Sequence, residues 1–97
     1  MVYEEEIRRG IAWLEAEYPG NIERIVIDDL DLASFERCPI GQIFGRQASK
    51  EMSCFDEHWS TEHGFQPSGP CTQEDFHELT EDWKTILRVR KSAPESR

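Results

Sequence analysis

The sequence predicts an all-α fold, a compact bundle of about four helices with an irregular extended segment after helix 1. Apolar residues recur at intervals of three and four over two long stretches, one near each end of the chain. Between them, Pro19-Gly20, Gly45, Gly64 and the turn-rich QPSGPC at 66–71 punctuate the chain at helix-length spacing. Only Ile25, Val26 and Ile27 make a β-branched run, and no second strand exists to satisfy its backbone groups. At 97 residues there is room for one domain. We expect it over residues 1–92, with 93–97 as a flexible tail.

The first helix follows from Tyr3, Ile7, Ile11, Leu14 and Tyr18, a stripe down one face. Glu4, Glu5 and Glu6 occupy its first turn, where the positive end of the helix dipole favours acids. Pro19-Gly20 stops it. Trp13 lies one residue off the stripe, so it widens the buried face or reaches a neighbour. Residues 21–36 follow as the extended segment, or one helical turn, with Ile25, Ile27, Leu30 and Leu32 plugging the core.

The stretch ERCPIGQIFG, residues 36–45, reads as a short helix. Pro39 suits the first turn, Ile40, Ile43 and Phe44 share a face, and Gly45 provides the stop. Cys38 then stands at the helix start as a small packing residue. A nucleophile there would need a nearby base and a lowered pKa, and Arg37 is the only nearby cation in the sequence, with no His in the motif. A third helix, capped by Ser49 or Ser53, carries Met52, Phe55 and Trp59 and ends at His63-Gly64, with Phe65 folding back. Thr72 and Asp75 form a variant capping box for the last helix, whose stripe is Phe76, Leu79, Trp83, Ile86 and Leu87. Acids at Glu74, Asp75, Glu78, Glu81 and Asp82 give way to bases at Lys84, Arg88, Arg90 and Lys91, in the order the dipole favours. The expected core is Ile7, Ile11, Leu14, Leu32, Ile40, Ile43, Phe44, Phe55, Trp59, Phe76, Leu79, Trp83 and Leu87.

Composition narrows the function classes. Net charge is −9, and residues 1–36 hold ten acids against three bases. That balance repels phosphate, so direct nucleic-acid binding is not expected, the basic tail Lys84, Arg88, Arg90, Lys91 and Arg97 being the local exception. No membrane partner is expected, and a basic protein partner is compatible with the charge but not indicated by it alone. No apolar run reaches the length of a membrane span, and the start, Met-Val-Tyr-Glu-Glu-Glu, lacks the parts of a signal peptide. The expected location is the cytoplasm. Three cysteines without a close pair do not suggest a disulfide framework.

Five blocks occur in order over residues 11–87: W-L-E-x-x-x-P-G (Trp13 to Gly20), I-x-x-x-x-L-D-L (Ile25 to Leu32), C-P-I-G-Q-I-F-G (Cys38 to Gly45), H-G-F (His63 to Phe65) and D-F-x-x-L-T-x-x-W (Asp75 to Trp83). This pattern resembles a family of uncharacterised small helical proteins of actinobacteria and their phages. The resemblance implies a source and size class, and the host cytoplasm if the protein is phage-encoded. It brings no activity and no catalytic residues, and it does not cover Cys54 or His58.

The expected function is therefore non-enzymatic, without a cofactor. We expect a small acidic protein, phage-type or accessory, that binds another protein; one form of this is inhibition of a host or defence protein by occupying a basic site. The expected recognition face is Glu4, Glu5, Glu15, Glu17, Asp28, Asp29 and Asp31. A homodimer is compatible with the sequence if Trp13 or Trp59 is exposed. The alternative is a zinc-stabilised module. Cys54 and His58, four apart on a helix, would join Cys71 and either His63 or His77 in a tetrahedral set, although the spacing matches no compact knuckle. Asp28, Asp29 and Asp31 lack the Gly and terminal Glu of a calcium loop, and Gly41 and Gly45 do not form a phosphate cradle.

Overall fold

The two long apolar stripes become the two long helices. In a computed structural model that describes residues 2–34, 36–45, 57–68 and 70–92, α1 spans Glu4–Glu17, α2 Pro39–Phe44, α3 Glu57–Glu62 and α4 Gln73–Ser92. Between α1 and α2 lie two 3₁₀ turns, Asn21–Arg24 and Ile27–Asp29. There is no strand among the described residues. Expectations that fall on Ser49, Met52, Ser53, Cys54, Phe55 and the 93–97 tail lie outside the described residues.

The helix ends are built as the sequence implies. Cys38 is the N-cap of α2, and its Sγ accepts from Gly41 N–H at 3.3 Å. At the other end Gly45 has φ +61°, in the region that favours glycine. The capping box of α4 closes in both directions, Asp75 N–H to Thr72 Oγ1 at 3.2 Å and Thr72 N–H to an Asp75 carboxylate oxygen at 3.3 Å. α3 ends in a Schellman turn. Phe65 N–H reaches Ser60 O and Gly64 N–H reaches Thr61 O, with Gly64 left-handed at φ +73°. Phe65 folds back to stack on Trp59 at 5.8 Å.

The segment after α1 is neither strand nor simple loop. Its β-branched run dispenses with a partner strand because side chains satisfy its backbone. Gln42 accepts from Val26 N–H at 2.6 Å and donates to Val26 O at 3.2 Å, while Lys91 donates to Ile25 O at 2.7 Å. Ile22, Ile25, Leu30 and Leu32 are thereby held in the core, with Ile27 packed at its edge. Thr80, buried on α4, accepts from Leu32 N–H at 3.0 Å.

α1 and α4 run in the same general sense. Tyr3 N–H meets the Asp82 carboxylate just before the start of α1, and Arg90 pairs with Glu15 near its end. Of the expected core, Ile7, Ile11, Leu14, Leu32, Ile40, Ile43, Leu79, Trp83 and Leu87 are buried, while Phe44, Trp59 and Phe76 pack half-buried around them. Toward the end of α3 the packing of α1 is tighter still. A Cβ at Gly10 would stand 2.1 Å from His63 O, and one at Gly64 would stand 2.9 Å from the Ile7 backbone. Trp83 Nε1 locks the same turn by donating to Gly64 O. Two glycines thus let α1 and the end of α3 meet backbone to backbone.

Candidate protein-binding surface

The expected acidic face divides. Glu4 and Glu5 stand at the start of α1, Asp28 and Asp31 at the second 3₁₀ turn and just beyond it, and Glu15 and Glu17 near the far end of α1. Tyr3 ties the first group to α4 through Asp82, and the second shares a cleft with Glu81. The acidic first half of α4 therefore stands between them, adding Glu74, Asp75, Glu78, Glu81 and Asp82 to one band. Glu15 falls outside this band and is neutralised by Arg90. Asp29 is exposed, and its carbonyl accepts from Arg37 Nε at 3.1 Å.

Electrostatics at Tyr3 report the sign of this surface. Burial pushes its phenol above the ordinary value, and the negative charges of Asp75, Glu78 and Asp82 push it further, against a lowering hydrogen bond with Ser68. The band also has cations. Arg8 pairs with Glu4 at 2.8 Å, and Lys84 lies 3.7 Å from Glu81. The α4 acids were visible in the sequence as dipole-favouring residues. Their place in a common surface depends on a contact between positions 79 residues apart.

The candidate zinc ligands are placed as follows. His58 is exposed on α3, 3.4 Å from Glu62, and His63 stacks on Trp59 at 4.0 Å with Nδ1 2.8 Å from Trp59 O. Cys71 and His77 line the cleft between the second 3₁₀ turn and α4. Cys71 has φ +58°, and its Sγ lies 3.7 Å from Pro67 O and 3.5 Å from Gln66 Nε2. Cys54, the first ligand of that set, lies outside the described residues. Among the described residues, no three side chains of metal-binding type come together.

Cys38 is buried at the start of α2. Burial raises its thiol above the ordinary value, only partly offset by N–H groups at the helix start. A raised thiol opposes the thiolate that nucleophilic chemistry needs. Trp13 and Trp59 are half-buried and pack edge to face at 5.0 Å, within an aromatic cluster that includes Tyr18 and Phe65. No helix among the described residues is long and apolar enough to cross a membrane. Comparison of the chain with protein-family models, with curated proteins and with solved structures finds no match in any of the three.

Proposed function

We propose that this protein works by binding another protein, and that the partner presents a basic surface to it. The observation that carries this reading is the acidic band, in which the start of α1 lies against the first half of α4 with its five acids over residues 74–82. A net charge of −9 favours encounter with a cationic face and disfavours phosphate backbones and anionic bilayers. In this role the protein is a small accessory or phage-type factor that blocks a basic site on a host or defence protein. It needs neither catalysis nor a cofactor for that.

The test is affinity capture with the full chain, comparing it with a variant in which Glu5, Glu78 and Glu81 become Gln and Asp28 becomes Asn. Circular dichroism first establishes that the variant is folded. The wild type is expected to retain basic proteins that elute at about 0.5 M salt, where exposed charges are heavily screened, and the variant is expected to lose them. Equal capture of the same proteins by both chains would overturn the proposal.

A further inference from the structure

We infer that the partner's contacting element is a basic amphipathic helix, seated in the groove between α1 and α4. This rests on the acidic-surface reading above and adds to that surface an apolar seat beside it, further along α4. The groove encloses about 500 Å³. Ile11 and Ile86, nearly buried, form its floor, and Ala12, Thr85 and Val89 form its walls. Val89 is 65 % exposed, an apolar side chain on the otherwise charged end of α4. Small residues at Ala12 and Thr85 leave room for another helix to approach.

Charge selects the occupant. The two arginines at the groove are matched by the chain's own acids, Arg8 by Glu4 and Arg90 by Glu15. Stepping back along α4 from Val89, the same face carries Thr85, Asp82 and Glu78. The groove itself ends at Thr85, and beyond it this face of α4 continues to acids, the distance from Val89 to Glu78 being about 16 Å, the length of three helical turns. An apolar stripe on a partner helix would cover Ile86 and Val89 while its cations lie over Glu78 and Asp82, a helix-in-groove mode. A second copy of this chain fits less well, because it carries the same net charge of −9.

The probe is a labelled 14-residue peptide of Leu and Lys, its Leu residues on one helical face, with a shuffled peptide of the same composition as control. Fluorescence anisotropy at low salt compares the wild-type chain with Val89→Asp. This substitution makes the protein more negative, so charge alone would tighten binding of either peptide. Occupancy of the groove predicts instead that the amphipathic peptide weakens about tenfold, as expected for loss of a buried Val contact, while the shuffled peptide does not weaken. Unchanged or tighter binding of the amphipathic peptide would remove the groove as the seat and leave the acidic surface standing. Failure of both peptides to bind would overturn both readings. A wild-type dimer by light scattering that Val89→Asp converts to monomer would assign the groove to a second copy and overturn the inference.

Discussion

The two faces of α1 are packed by opposite rules. On one, Gly10 and Ile7 meet His63 and Gly64 backbone to backbone, with no space for even a methyl group. On the other, Arg8, Ala12 and Glu15 border a groove about 500 Å³ in volume. One helix therefore serves as both a fixed joint and an open wall. Stability should concentrate at the joint and binding at the wall, so substitutions on the two sides should separate these properties.

The largest effect is expected at Gly10. Alanine is favoured over glycine inside a helix by about 1 kcal/mol, so propensity alone would make Gly10→Ala stabilising. A Cβ 2.1 Å from His63 O reverses the sign, because a backbone oxygen cannot move aside as a side chain does. Urea denaturation should show a loss of about 3 kcal/mol. Gly64→Ala should lose a similar amount, since it combines φ +73° with a 2.9 Å approach to the Ile7 backbone. A neutral or stabilising Gly10→Ala would mean that α1 and the α3 turn are not in this contact.

Trp83 stands next in rank. Its ring is fully buried against Phe65, and its Nε1 satisfies Gly64 O. Trp83→Phe preserves much of the packing but removes the donor. The buried carbonyl then loses that partner, at a cost of about 2 kcal/mol. A melting temperature equal to wild type would show that the carbonyl finds another donor.

Local features were legible in the sequence, and long-range ones were not. Pro39 after Cys38, Thr72 with Asp75, and Gly64 before Phe65 announce their helix ends because each acts within a few residues of itself. The stripes of α1 and α4 are legible for the same reason. Gly10 gave no signal, since its role depends on His63, which arrives from another element. The segment at 21–36 was ambiguous because Gln42 and Lys91 supply hydrogen bonds that a strand would otherwise need. Of the candidate surface, the N-terminal acids are visible in the sequence as an excess of charge, whereas the acids of α4 join them only through the fold, and Arg90 withdraws Glu15 from them.

Cys38, at the start of α2, gives a smaller effect with a pH signature. Cys38→Ala removes the N-cap acceptor of α2, a loss of about 1 kcal/mol at neutral pH. The folded thiol titrates above its ordinary value of 9.0, so its contribution is complete below pH 9 and is lost as pH rises through the folded value. Tyr3 acts in the same direction from 10.0 upward. The urea midpoint of the wild type should therefore fall through this alkaline range, and that of Cys38→Ala should fall less steeply. Parallel curves for the two proteins would assign the alkaline loss to Tyr3 and general charge repulsion.

Val89→Asp should have the smallest effect on stability, and this sharpens the contrast between the two faces of α1. The side chain is 65 % exposed, so little apolar burial is lost when it is replaced. Aspartate in the last turn of α4 opposes the helix dipole, but Arg90 and Lys91 are neighbours that offset part of this cost. The expected change is within about 0.5 kcal/mol, as for most surface substitutions. A larger loss would mean that the groove wall already carries folding energy in the isolated chain. It would then be part of the core rather than an open seat, and the two sides of α1 would differ in degree instead of kind.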